Sequence, residues 1–103
     1  MGIAEFLLAR IAEDEAVARA ATPGPWEWEP ETEGCGSIGA VGDVGIHVSD
    51  EDAEHIARWD PARVLAECDA KRRIVNECGW VTVMQLLALP YTDHPAYDES
   101  WRP

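Results

Sequence analysis

The sequence predicts an α+β fold, and three observations lead to it. Apolar residues recur at helical spacing over residues 3–20, the pattern alternates with period two around Trp26–Trp28 and Ser37–Val48, and helical spacing returns beyond residue 50. The expected architecture is an N-terminal helix, a small antiparallel sheet of two or three strands with a hairpin at Gly42-Asp43, then two or three helices and an extended C-terminal tail. A chain of 103 residues has room for one domain, 1–103, of which 91–103 forms an aromatic and proline-containing tail.

In the first helix Ile3, Leu7 and Ile11, with Ala4, Leu8, Val17 and Ala18 alongside, form the apolar stripe. Thr22-Pro23-Gly24-Pro25 ends it, because proline disfavours helical geometry in the residue before it. Trp26-Glu27-Trp28-Glu29 alternates aromatic and acidic residues as a strand with one buried face does, and Pro30 limits that strand to an edge or an end. Gly42-Asp43 suits a type II′ turn, which would set Val41 opposite Val44 and Gly39 opposite Ile46.

Ser49 with Asp52 reads as a helix cap and an acidic first turn, opening a short helix that ends near Trp59. Asp60 then stands as N-cap and Pro61 at the first position of a longer helix to about residue 78, with Val64, Leu65, Cys68, Val75 and Cys78 toward the core. A third, buried helix is expected within Trp80–Leu89, capped by Thr82 and ended by Pro90. Trp26, Trp59 and Trp80, beside turns and helix ends, are assigned to the core.

Eight Lys and Arg against twenty Asp and Glu leave a net charge of −12. That disfavours direct binding of nucleic acid, whose phosphates call for basic side chains, and suits basic protein partners. The start of the chain lacks a basic segment followed by an apolar one, and no apolar run approaches the roughly 20 residues of a membrane span. The expected location is cytoplasmic, with no membrane partner. Three cysteines, Cys35, Cys68 and Cys78, show no CxxC spacing and are expected to be reduced thiols.

Three stretches carry a resemblance. They are Ala20-Ala21-Thr22-Pro23-Gly24-Pro25-Trp26; Asp52-Ala53-Glu54-His55-Ile56-Ala57-Arg58 running through Asp60-Pro61-Ala62-Arg63-Val64-Leu65 to Lys71-Arg72-Arg73-Ile74; and Leu89-Pro90-Tyr91 with His94-Pro95 and Trp101-Arg102-Pro103. Together they resemble a domain of unknown function in small proteins of actinobacteria and their phages, over most of the chain. The first two are similar, more loosely, to Ead-like accessory proteins of phages and prophages. The resemblance implies a phage or mobile-element setting and brings no catalytic residues with it.

Several groups of residues are candidates for function. His47, His55, Asp52 and Asp60 have the chemistry of a base oriented by a carboxylate, as a small hydrolase or nuclease requires, against the plainer reading of a solvated helix face. The spacings of His and Cys do not make a metal site, and neither metal nor cofactor is expected. Lys71, Arg72 and Arg73 form a basic patch, although consecutive helical residues fan over roughly 200° and point different ways. Trp28, Tyr91, His94, Tyr97 and Trp101 are candidate partner contacts, because aromatic residues are enriched at interface hot spots.

The leading expectation is a non-enzymatic, phage-type accessory protein that binds a host or phage protein, one that is basic or itself binds nucleic acid. A sharper form is an acidic inhibitor that imitates DNA. The alternatives are the hydrolase or nuclease and a self-assembling structural protein, with a homodimer as its simplest form.

Overall fold

The computed structural model describes residues 1–32, 35–38 and 48–103, with the backbone alone at 29–32, 35–38 and 48. In chain order the elements are α1 (Ile3–Ala20), β1 (Trp28–Thr32), β2 (Cys35–Ile38), β3 (Val48–Ser49), α2 (Asp50–Arg58), α3 (Pro61–Glu77) and α4 (Val81–Ala88). Two 3₁₀ turns, Leu89–Tyr91 and Glu99–Trp101, follow. The helices begin and end close to where periodicity, Ser49, Asp60-Pro61 and Pro90 put them.

The expected fold class is corrected. The chain is mostly helical, and among the described residues its extended segments are too few and too short to make the fold α+β. Among the described residues every buried apolar side chain belongs to a helix: Phe6, Leu7, Ile11 and Ala18 on α1, Ala53 on α2, Cys68 and Val75 on α3, Met84 and Ala88 on α4. Among the described residues, strand is confined to three short segments in the order β1-β2-β3, the last of two residues. Pro30 has no N–H to donate, and the register shifts between it and Thr32. Gly36 stands opposite Val48, where a two-residue turn at Gly42-Asp43 would have set Ser37. That turn itself, with Val41, Val44 and Ile46, lies outside the described residues.

The tail is corrected as well. Instead of extending, it folds in successive turns: the N–H groups of His94, Tyr97 and Trp101 donate to the carbonyls of Tyr91, His94 and Asp98, each at 2.9 Å. Helix α4 starts at Val81 with Trp80 in the N-cap position, and no side chain caps it, so Thr82 does not have the role expected of it. Trp80 and Trp59, assigned to the core, are 75% and 46% exposed. On α1, Val17 faces solvent, and Phe6, Arg10 and Glu15 take buried places beside Leu7 and Ile11.

The chain packs as two compact units, Glu15–Ala66 and Met1–Asp14 with Glu67–Pro103. In the first, the organising group is Asp60. Its Oδ1 accepts the Arg63 N–H at 2.9 Å, which caps α3, and its Oδ2 accepts the Trp26 N–H at 2.7 Å. The backbone N–H groups of Arg63, Trp26 and Ala62 hold its carboxyl below the usual carboxylate range, against the opposing effect of burial. A carboxylate taken out of water needs this many donors to stay ionised.

Gly24 is required by the same contact. A Cβ there would stand 2.8 Å from Asp60 Oδ2, 3.0 Å from the Ala62 Cβ and 3.1 Å from the Ala62 nitrogen. The Gly24-Pro25 peptide is cis. The Thr22–Trp26 segment thus lies directly on the first turn of α3, and the Trp26 indole closes it by donating to the Thr22 carbonyl at 2.9 Å.

Asp60→Ala removes a cap and leaves the Trp26 N–H without its acceptor; together these cost about 2–4 kcal/mol. Gly24→Ala costs about 1–3 kcal/mol by overpacking. The pH dependence has a definite sign. Because folding lowers the Asp60 pKa, its contribution is complete above the ordinary value of 3.8 and is lost as pH falls through the folded value. Urea midpoints should therefore fall more steeply below about pH 4 for the wild-type chain than for Asp60→Asn.

Candidate functional site

Two places gather chemically interesting side chains, one in each unit. In the unit formed by Met1–Asp14 and Glu67–Pro103, the turns of the tail repeat every three residues from Tyr91, so Tyr91, His94 and Tyr97 reach the same neighbour. That neighbour is Phe6, fully buried on α1. Its ring centroid lies 6.2 Å from Tyr91, 5.6 Å from His94, 6.1 Å from Tyr97 and 5.0 Å from Trp101, mostly edge to face. The Arg10 guanidinium lies over the same ring at 5.1 Å.

Polar groups lock this arrangement. The Tyr91 hydroxyl donates to Asp14 at 2.6 Å. Burial, then the Asp14 hydrogen bond and charge, push its pKa well above the ordinary tyrosine value. His94 Nδ1 faces two donors, the Ala96 N–H at 3.0 Å and Arg10 at 3.1 Å, so its ring hydrogen is assigned to Nε2. Arg10 also pairs with Glu13 at 2.7 Å. At the end of the tail Asp98 accepts the Ser100 N–H, and Arg102 pairs with Glu99 at 2.9 Å.

Four of the five candidate partner contacts, Tyr91, His94, Tyr97 and Trp101, thus come together on Phe6, each half-buried. Phe6, Arg10 and Asp14, which hold them, were not singled out by sequence reasoning. Their spacing at i, i+4 and i+8 on a helix was the available signal.

The fifth, Trp28, belongs to the other unit. There Trp26, Glu27 and Trp28 line an open groove with Glu54, Ala57 and Arg58 of α2. A neighbouring hollow is lined by Glu51, Glu54, His55, Arg58 and Trp59, sharing Glu54 and Arg58. Arg58 pairs with Glu54 at 2.8 Å, both side chains largely exposed. The Arg63 guanidinium lies 4.1 Å from the Trp59 ring centroid, a cation stacked on an indole within the chain itself.

Among the described residues of the catalytic set, Asp52, His55 and Asp60 do not form a base oriented by a carboxylate. Asp60 is committed to backbone N–H groups, Asp52 lies exposed in the first turn of α2, and His55 packs near Trp59, ring centroids 6.3 Å apart. His47 lies outside the described residues. Among the described residues no group of three or more His, Cys, Asp and Glu side chains is placed to hold a metal ion. The basic patch is divided: Arg73 pairs with Asp69 at 3.3 Å and is exposed, while Lys71 and Arg72 are half-buried. No helix among the described residues is long and apolar enough to cross a membrane.

The family model for DUF6221, described as a family of unknown function, matches residues 1–103. The chain belongs to this family. Comparison with curated proteins finds no match, and comparison with solved structures finds none. Membership of DUF6221 brings no assigned activity to the groove or to the tail cluster, so their chemistry rests on the geometry above.

Phe6→Ala should cost about 3–5 kcal/mol, the range for removing a buried aromatic ring, and should open the tail to chymotrypsin at Tyr97 and Trp101. Tyr91→Phe, which leaves Asp14 without its donor, should cost about 1–2 kcal/mol. It should also remove part of the stability that the wild-type chain loses above about pH 10, where the raised Tyr91 pKa opposes ionisation in the folded state alone. Chemical denaturation at neutral and alkaline pH measures both effects.

Proposed function

We propose that the chain is a non-enzymatic binding module that takes a basic segment of a partner protein in the groove along α2. The observation that carries the reading is the lining of that groove. Trp26 and Trp28 line it together with Glu27 and Glu54, and among the described residues the one lining cation, Arg58, is bound to Glu54 by an exposed pair.

Carboxylates beside indole faces favour guanidinium and ammonium groups by charge and by cation–π attraction. An exposed ion pair is worth about 0–1 kcal/mol, so an incoming arginine displaces Arg58 at little cost. The stacking of Arg63 on Trp59 is the same contact made internally. The net charge of −12 adds a long-range pull on any basic partner.

The partner in this reading is a basic host or phage protein, nucleic-acid-binding proteins being the most basic class. The resemblance of the motifs to proteins of actinobacteria and their phages, and to Ead-like accessory proteins, supports that setting. Blocking the basic surface of such a protein would make the chain an acidic inhibitor.

Calorimetric titration with a short arginine-rich peptide tests the groove. Trp28→Ala and Glu54→Lys should each weaken binding by about tenfold or more, and raising salt should weaken it further. Equal affinity in wild-type and both variants would overturn the reading.

A further inference from the structure

Among the described residues Arg58 is the one cation that lines the groove, and it lines the neighbouring hollow as well. Its guanidinium gives one N–H to Glu54 Oε1 at 2.8 Å, from side chains that are 68% and 51% exposed. The two residues stand four apart on α2, so helix geometry alone brings them together. The carboxylate that a basic ligand needs is therefore already taken by a basic side chain of the chain itself.

On the reading that the groove takes a basic segment, we infer that Arg58 is a built-in competitor for that segment. It is of the same chemical class as the ligand, and it holds the affinity of the groove down. Of the lining charges, Glu27 and Glu54 are negative and Arg58 is positive. A ligand that reaches Glu54 exchanges one cation for another there, and the pull of the groove on it is reduced accordingly.

The displaced side chain has a place to go. Arg58 already lines the hollow beside the groove with Glu51, His55 and Trp59, where Glu51 offers a second carboxylate. Release reverses the exchange, as Arg58 returns to Glu54 when the segment departs. Arg58 is thus the lining residue whose loss acts with the opposite sign. Losing Trp28 or Glu54 removes a contact to the segment, whereas losing Arg58 removes its rival. The fold tolerates that loss, because an exposed i,i+4 pair adds little to a helix.

Calorimetric titration of the full chain with a four-arginine peptide, at low and at high salt, tests the competitor in wild type, Arg58→Gln, Arg73→Gln and Trp28→Ala. Arg73→Gln is the control for net charge: it removes the same charge from a similarly exposed i,i+4 pair, with Asp69, and lines neither hollow. Arg58→Gln should tighten binding about threefold to tenfold at low salt, with a smaller gain at high salt, while Arg73→Gln should change it by less than about twofold. An Arg58→Gln chain that binds no tighter than wild type, or that gains no more than Arg73→Gln, would overturn the inference. The groove itself is judged separately by Trp28→Ala: if that variant binds more weakly while Arg58→Gln changes nothing, the groove stands and the competitor alone falls.

Discussion

In the unit Glu15–Ala66, much of the arrangement depends on one carboxylate held by three backbone N–H groups. Asp60 begins α3 and at the same time fixes Trp26, thirty-four positions away in the chain. Without that bond, Thr22–Trp26 would be a proline-rich connection with no set position on α3. With it, the backbone leaving Trp26 is directed so that Glu27 and Trp28 line the groove with α2. The glycine at 24 and the aspartate at 60 are two halves of one contact: the backbone comes too close to Asp60 and Ala62 for any Cβ. The two motifs that stand out in the sequence, Thr-Pro-Gly-Pro-Trp and Asp-Pro-Ala-Arg, are therefore distinctive first for a structural reason.

A comparable economy appears in the other unit around Phe6. The rings of Tyr91, His94, Tyr97 and Trp101 all meet it, and Arg10 and Asp14 secure the periphery by hydrogen bonds to His94 and Tyr91. A chain this short buries a limited fraction of its surface. Folding the tail back on α1 enlarges the core with residues that a purely extended tail would leave in water. It also withdraws those aromatic side chains, in part, from contact with anything else.

Much of this was legible in the sequence where a local signal decides local structure. Helical periodicity, the Ser49 cap and the Asp60-Pro61 start located the helices, since caps and first-turn prolines act within four residues. What failed needed information from elsewhere in the chain. Alternation around Trp26–Trp28 suggested a sheet with a buried face, but the described core is built by the helices. Tail aromatics at intervals of three read as a row of contacts, and only the turn geometry makes them converge on Phe6. Tryptophans beside turns read as core, yet Trp59 is exposed beneath Arg63 and Trp80 lies open at an uncharged helix end. For the groove, the acidic–aromatic pattern was visible while its other wall, Glu54, Ala57 and Arg58, was not.

The five tryptophans provide the most direct test of the central claim, that Asp60 holds Trp26 and Trp28 in a cation-binding groove against α2. Each indole N–H gives its own resonance in a two-dimensional ¹H–¹⁵N spectrum, so an arginine-rich peptide can be titrated against all five at once. The account predicts progressive, saturable shifts of Trp26 and Trp28, with a smaller change at Trp59, and no movement of Trp80 or Trp101. Shifts centred on Trp80 or Trp101, or none at any indole under conditions where the peptide binds, would contradict it.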